Sequence, residues 1–399
     1  MSDVPWLTIV GMGEDAPDGL SSASLRALHA AEFVMGPERH LGLLPELNAQ
    51  RIAWPVPFAD GIAQLLSLRG RRVVALASGN PFWFGAGSSI ARALSPKEWV
   101  ALPSPSTFAR VAARMAWPLE QTACFGLHAA PMTRLRPALA AGTRMIVLLR
   151  DGAAVADLGT YLTDQGFAAS RLSVFEALGG PRERRTDARA QDLDRDTFSH
   201  PVCAAVEIRG AGDSLPLASG RPDHWFDNDG QMTKRPVRAL TLSALAPVPC
   251  AHLWDIGGGS GSIGIEWLLS HPTTTATTIE PHPDRADRIR ANALKLGVDR
   301  LHVVQGTAPD VLHGLDLPDV VFVGGGLTPE LLTWLQTRLS QGTRIVANAV
   351  TLESEALLAR SQLRLGGDLL RIELAQSAPL GGKRGWKSSY PVVQWSVTL

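Results

Sequence analysis

The stretch His252-Leu253-Trp254-Asp255-Ile256-Gly257-Gly258-Gly259-Ser260-Gly261 decides how the rest of this chain is read. A short apolar run stopped by glycines predicts a buried strand at 252–256. The apolar segment behind the glycines predicts a helix at 262–270. Strand, glycine turn and helix, in that order, bring backbone N–H groups and a helix N-terminus up to a nucleotide-like ligand. Glycine suits the turn because the chain reverses sharply and the ligand approaches the backbone closely.

Gly259-Ser260-Gly261-Ser262-Ile263-Gly264 also satisfies the dinucleotide-binding pattern, so the loop alone leaves NAD and S-adenosylmethionine both open. Its neighbours separate them. Asp255 precedes the glycines, where a carboxylate suits the cationic amino-acid end of S-adenosylmethionine and repels a pyrophosphate. Glu280 ends the next expected strand (275–279), in place to accept hydrogen bonds from ribose hydroxyls. Two final strand-like runs, 369–375 and 392–397, have no helix between them and predict an antiparallel edge on a parallel sheet. That ending fits a methyltransferase rather than a dehydrogenase. Gly306-Thr307-Ala308 follows a third strand, where an adenine would lie, and Gly324-Gly325-Gly326 follows a fourth. The expected cofactor set here is Asp255, Gly257, Gly259, Gly261, Glu280, Gly306, Thr307 and Ala308. No Asn-Pro-Pro-aromatic run follows the fourth strand, which argues against a nucleic-acid base as acceptor.

Outward from this loop, the chain is long enough for two cores: 399 residues, 45% hydrophobic and 19% charged. Lys plus Arg and Asp plus Glu both number 38, a balance unlike that of a nucleic-acid binder. Cys124, Cys203 and Cys250 are scattered, which fits a reducing compartment and no Cys-rich metal site. Residues 1–6 lack the marks of a signal peptide, and no apolar run is long enough to span a bilayer. The expectation is a soluble, cytoplasmic protein with no metal, no membrane and no nucleic-acid partner.

Strand-like runs at 7–10, 73–77, 123–127, 145–149, 171–175 and 204–208 alternate with helix-like segments. This predicts α/β layers with mostly parallel sheets in the first half too. The turn-rich stretch 211–226 reads as a linker between domains at 1–210 and 227–399. The arginine-rich segment 181–195 reads as a solvated loop or helix.

Three loops stand out in the first half. Gly11-Met12-Gly13 follows the first strand but continues into Glu14 and Asp15, an acidic setting unsuited to phosphate. Ser78-Gly79-Asn80-Pro81-Phe82-Trp83-Phe84-Gly85 and Pro103-Ser104-Pro105-Ser106-Thr107 follow later strands. The residues themselves support a nucleoside-binding α/β domain. The set Gly-x-Gly, Ser-Gly-x-Pro-x-x-x-Gly and Pro-Ser-x-Ser resembles the tetrapyrrole (corrin/porphyrin) methylases, and His128 falls near a Leu-His position of that family. Asn80 stands where relatives usually carry Asp.

A domain resembling that family, followed by a glycine-loop methyltransferase, is similar over almost the whole length to the decarboxylating precorrin methyltransferases of aerobic cobalamin biosynthesis. Asp229-Gly230-Gln231-Met232-Thr233-Lys234-Arg235 and the run from Ala347 to Glu353 carry the likeness as well, while Pro236 stands where relatives commonly have Glu. The resemblance implies a two-subdomain tetrapyrrole methylase fold followed by a Rossmann-like class I methyltransferase fold. It implies one S-adenosylmethionine site per domain, with Gly11, Gly13, Ser78, Gly79 and Ser104 added to the cofactor set. It also implies a small-molecule tetrapyrrole substrate, methylated at C5 and C15 with loss of the ring C acetate carboxylate, and a homo-oligomeric assembly. A polycarboxylate substrate calls for cations, with Lys234, Arg235, Arg238, Lys383 and Arg384 as candidates. No catalytic acid or base is assigned, because a reduced precorrin is itself electron-rich at its meso carbons. The rival readings are an NAD-dependent oxidoreductase and an RNA or protein methyltransferase with an N-terminal binding module.

Overall fold

Runs of aliphatic residues set the centre of each sheet in the computed structural model, which describes residues 5–193 and 198–399. Residues 1–4 of the N-terminal hexapeptide, and Asp194 and Arg195 of the arginine-rich segment, lie outside the described residues. The chain divides into two units. One holds the described residues up to Met132 and from Ala138 to Asp213; the other holds Thr133–Pro137 and Ser214–Leu399.

The first unit begins with a sheet of β1 (Leu7–Met12), β2 (Phe33–Gly36), β3 (Gln50–Ala53), β4 (Val73–Ser78) and β5 (Trp99–Leu102). Their order is β3-β2-β4-β1-β5, and all neighbours are parallel. Helices α1 (Ser22–Ala30), α2 (Glu38–Gly42), α3 (Phe58–Ser67) and α4 (Gly87–Arg92) make the crossovers. Leu7, Ile9 and Val10 of β1 are fully buried, as expected of a strand covered on both faces.

Helix α5 (Thr107–Met115) leads into a second sheet of β6 (Ala123–Gly126), β7 (Arg144–Leu148), β8 (Arg171–Glu176), β9 (Arg184–Arg189) and β10 (Val202–Glu207), with α6 (Ala153–Asp164) after β7. Here the order is β6-β7-β10-β8-β9, and only β6 and β7 run parallel. The arginine-rich segment is corrected by β9: its residues 184–189 form an edge strand against β8, not a loop or helix. Charged side chains on an edge strand keep it from recruiting another strand.

The second unit runs α7 (Arg235–Leu245), β11 (His252–Ile256), α8 (Ser262–Ser270), β12 (Thr275–Glu280), α9 (Pro283–Lys295), β13 (His302–Gln305), β14 (Val320–Val323), α10 (Pro329–Arg338), β15 (Arg344–Ala349), α11 (Leu352–Leu365), β16 (Asp368–Ile372), β17 (Ala375–Leu380), β18 (Lys383–Ser388) and β19 (Val392–Thr398). Seven of these strands form a sheet in the order β13-β12-β11-β14-β15-β19-β16. β19 is the antiparallel member, running against both β15 and β16. The expected closing pair is therefore present, but an exposed hairpin, β17–β18, is inserted between its strands. Strand order reverses at β11, so the glycine loop stands at the switch point where open α/β sheets bind ligands.

The stretch read as a linker packs into the second unit from Ser214 onward. Leu215, Trp225 and Phe226 are buried in the same core as Leu242, Trp267 and Ile289. Glu266 of α8 secures it. This fully buried carboxylate accepts the backbone N–H groups of Gly220 (2.8 Å) and Arg221 (2.9 Å), Nε of Arg238 (2.7 Å) and Nη1 of Arg221 (3.3 Å). Pro236 sits in the first turn of α7, where its missing N–H breaks no helical bond. Among the described residues no helix is long and apolar enough to cross a membrane.

Glu266→Ala should cost the second unit about 3–5 kcal/mol, because the buried Arg221 loses its counter-charge and Arg238 keeps only Asp223. Urea denaturation followed by tryptophan fluorescence measures this, and Glu266→Gln should lose less. A loss below about 1 kcal/mol for the alanine variant would contradict the role given to this carboxylate.

Candidate active sites

The glycine loop of the second unit takes left-handed backbone angles at Gly257 (φ +81°), Gly259 (φ +60°) and Gly261 (φ +76°). A Cβ on Gly257 would lie 2.9 Å from the backbone nitrogen of Gly325, so the fourth strand-end loop passes too close to leave room for a side chain there. Gly257 and Gly258 donate to the Ile279 carbonyl at 3.0 and 3.1 Å, which clamps the loop to the end of β12. Beneath it opens a cavity of ≈ 510 Å³, within the size range of small-molecule sites. Gly257, Gly259, Glu280, Gly306, Thr307 and Ala308 line it, together with Gly324–Gly326. Gly261 starts α8 behind the lining, where a Cβ would press on Ile289.

Glu280 is 2% exposed and lines the cavity. Its carboxylate is fixed by the N–H groups of Gly259 (2.8 Å) and His282 (3.1 Å). Each oxygen keeps a further lone pair for a ribose hydroxyl.

Asp255 is a correction. Its side chain is buried below the loop and does not line the cavity. Oδ2 accepts from the N–H of Gly264 (3.1 Å) in the first turn of α8 and from the Thr278 hydroxyl (3.3 Å). These two bonds tie it to the first turn of α8 and to β12, so it supports the loop. Burial is the main cause that pushes its pKa up to about 7, and the Glu280 charge adds to this.

The basic candidates divide. Lys234 lines the cavity, whereas Arg235 is exposed and lies outside the lining. Arg238 is a correction: its side chain is fully buried, paired with Glu266 and Asp223, and stacked 4.8 Å over the Phe226 ring. Lys383 and Arg384 lie on β18, outside the lining, and Arg384 donates to Ser377 across the hairpin (2.8 Å). The sequence reading missed His282, Arg285, Asn348 and Tyr390 as lining residues. Asp229 and Asn292 explain the segment ahead of α7. Hydrogen bonding to Arg285 (2.8 Å) holds the Asp229 carboxyl well below its usual range. The Asn292 amide ties the carbonyls of Asp227 (2.9 Å) and Ser260 (3.0 Å) together, seating that segment on the glycine loop.

In the first unit, a cavity of ≈ 750 Å³ opens where the loops after β1, β4 and β5 meet. Gly13, Ser78 and Gly79 line it; Gly11 and Ser104 lie just behind. Gly11 has no room for a side chain, since a Cβ would collide with the Gly79 carbonyl. The Ser104 N–H donates to that same carbonyl at 3.1 Å. Asn80 accepts the Phe82 N–H with its side chain (3.0 Å), so it works as a turn former. Trp83 and Phe84 lean on Phe108, with ring centroids at 5.4 and 5.5 Å. The acidic loop is neutralised locally. Glu14 pairs with Arg39, and Asp15 with Arg110 at 2.7 Å. His40 is 1% exposed, and its pKa is pushed down to about 3, by burial first and by Arg39 second. His128 and His200 complete one wall.

The raised Asp255 pKa carries a sign that can be checked. An unfolded aspartate titrates near 3.9 and the folded one near 7, so between these the native state binds more protons. Native stability should therefore fall as pH rises from about 4 to about 7. Asp255→Asn should flatten that part of the profile in urea denaturation. An unchanged slope would remove Asp255 as its source.

Comparison with known proteins agrees with both halves. Residues 6–194 match the tetrapyrrole (corrin/porphyrin) methylases, and residues 224–399 match the precorrin methyltransferase domain. A precorrin-6Y C(5,15)-methyltransferase (decarboxylating) from Sinorhizobium sp. is 46% identical over 399 residues, covering 99% of this chain and 96% of that protein. A protein of the same name from Mycobacterium tuberculosis is 40% identical over 401 residues, with 98% and 99% coverage. The crystal structure of the C-terminal domain of a Rhodobacter capsulatus precorrin-6Y C5,15-methyltransferase shares 52% identity, covering 46% of this chain and 100% of that one, with a TM-score of 0.45. Near-complete overlap with these relatives establishes the conclusion that the chain belongs to the family of decarboxylating precorrin-6Y C(5,15)-methyltransferases.

Proposed function

We propose that this enzyme holds two S-adenosylmethionine sites, one in each unit. The first unit (1–210) methylates C5 of a precorrin. The second (227–399) methylates C15 and removes the ring C acetate carboxylate, giving precorrin-8X. The observation that carries this reading is that each unit has its own cavity, floored by its own glycine loops and sharing no lining residue with the other. Both floors suit a polar, nucleoside-like group. Behind the linings, the hydroxyls of Ser104 and Ser260 are buried without a hydrogen-bond partner, next to glycines with no room for a side chain: Gly11 against the Gly79 carbonyl and Gly261 against the Ile289 side chain.

S-adenosylmethionine supplies an electrophilic methyl group on a sulfonium. The chain's part is to aim a nucleophilic carbon at it and exclude water, and positioning of that kind supplies much of a barrier reduction. In the second unit, Glu280 would hold the ribose, and Ile256, Ile279, Val350 and Ile372 give the cavity its apolar wall. Lys234 is the lining cation suited to a substrate carboxylate. An acetate carboxylate placed against the apolar wall loses solvation. As its C–C bond breaks and carbon dioxide leaves, the electron pair passes into the conjugated macrocycle.

Titrating the full chain with S-adenosylhomocysteine should reveal two sites per chain. Glu280→Gln should weaken the second-unit site roughly 10- to 100-fold, in line with about 1.5–3 kcal/mol for a hydrogen bond to a charged group. Gly79→Ala should affect only the first-unit site, because its Cβ would lie 2.9 Å from Ser106 Cα. With a reduced precorrin-6 and the methyl donor, product mass should show two methyl groups gained and one carbon dioxide lost. One site per wild-type chain, or no mass change with active substrate, would defeat the reading.

A further inference from the structure

Replacing hydrogen by methyl at a meso carbon leaves a proton to be removed, and the first-unit cavity contains a side chain built to take it. As the methyl–sulfur bond breaks and the new C–C bond forms from a π pair of the macrocycle, C5 becomes tetrahedral and the macrocycle cationic. The C5–H bond must then break, returning its electron pair to the ring system and giving its proton to a base. We infer that His200 is that base, accepting the C5 proton on Nε2. This rests on the assignment of C5 methylation to the first unit.

The geometry fixes the tautomer. His200 lines the cavity and places Nδ1 3.1 Å from the Arg150 carbonyl oxygen. A carbonyl can only accept, so Nδ1 carries the hydrogen, and in the neutral ring Nε2 is the bare nitrogen. With Nδ1 held by the wall, Nε2 is the nitrogen left for a ligand. The residue is anchored from its other side too, since the Pro201 carbonyl accepts the Ala177 N–H at 2.9 Å just before β10.

The surroundings keep the ring neutral. Burial, and then the Arg39 charge on α2, lower the His200 pKa, while the Arg150 carbonyl and Asp151 beyond β7 pull it partly back. His128, after β6, is held in the same manner by the adjacent Leu149 carbonyl and is likewise lowered by burial. Once protonated, the His200 imidazolium meets the Arg39 charge, a repulsion that favours release of the proton to solvent. His40 is a poorer candidate, because its Nε2 is engaged by Arg39 (3.0 Å) and Ser78 (3.3 Å) and the ring is 1% exposed.

The test uses the full chain and His200→Asn, whose amide can still donate to the Arg150 carbonyl but has no basic nitrogen. Long-range ¹H–¹⁵N spectra of the wild type, without ligand, should show His200 as the Nδ1–H tautomer with a pyridine-type Nε2 at neutral pH. With a reduced precorrin deuterated at C5, the variant should methylate C5 about 10²- to 10⁴-fold more slowly. It should also show a primary deuterium effect absent from the wild type, while S-adenosylhomocysteine affinity is retained. The wild-type rate should fall as pH drops through the His200 ionisation, and the variant should lose that limb. An Nε2–H tautomer overturns the inference, as does wild-type behaviour of the variant, or the isotope signature appearing in His128→Gln instead. If the wild type itself never methylates C5, the assignment of this cavity fails and the proton-acceptor role falls with it.

Discussion

A single buried carboxylate, itself outside the cavity lining, holds in place the segments that build the second site. Glu266 lies near the middle of α8, the helix whose N-terminus is the glycine loop, and its side chain is fully buried. It holds together α8, α7 and the chain entering the unit at Gly220 and Arg221. Burying charge is costly unless every partner is in place. Here two guanidinium groups and two backbone N–H groups supply them, with Asp223 completing the charge balance on Arg238. Arg238 also donates to the carbonyls of Thr233 and Arg221, so it closes the segment that carries Lys234 to the cavity. The loop's position is thus set from the body of its helix rather than by the ligand.

The two cavities reach the same end by different backbone devices. In the second unit, alternate left-handed glycines (257, 259 and 261) turn the chain, and the loop leans on another glycine strand end at Gly325. In the first, Gly11 is an ordinary strand residue, required only because the Gly79 loop crosses directly over it. Gly11 is needed for the space it vacates alone, whereas Gly79 and the second-unit glycines 257, 259 and 261 also take left-handed torsion angles. This explains why the glycine-loop pattern of one half gives no guide to the other, and why the dinucleotide reading that fits one loop has no bearing on the whole enzyme.

How legible all this was depended on whether the deciding contact was local. Buried parallel strands such as β1, β4, β11 and β14 declare themselves as aliphatic runs, and the glycine loop follows directly from the strand before it. Strands β9, β17 and β18 are polar or interrupted by Pro379 and Gly385, so no period distinguishes them from loops. Arg238 looked like a surface cation because its partner lies 28 residues further on, the one charged residue of an otherwise largely apolar helix. Asp255 sits at the predicted strand end, yet which face its carboxylate takes is decided by Thr278 and the first turn of α8. Gly306 to Ala308 and Glu280 line the cavity because they stand at the ends of strands that the sequence already implied.

Charge pairing around both cavities bears on how a polycarboxylate is selected. Arg39, Arg110 and Arg285 each reach toward a cavity already matched to Glu14, Asp15 or Asp229. Matched pairs hold guanidinium planes in fixed positions but cancel much of their long-range field, so the chain is neutral overall and attracts anions weakly at a distance. Recognition must then be short-ranged. A substrate carboxylate gains only where it reaches a donor whose geometry it fits, and an anion of the wrong shape meets the acidic partners instead. For a substrate carrying many carboxylates around one rigid ring, such a surface selects by the spacing of its charges rather than by their number.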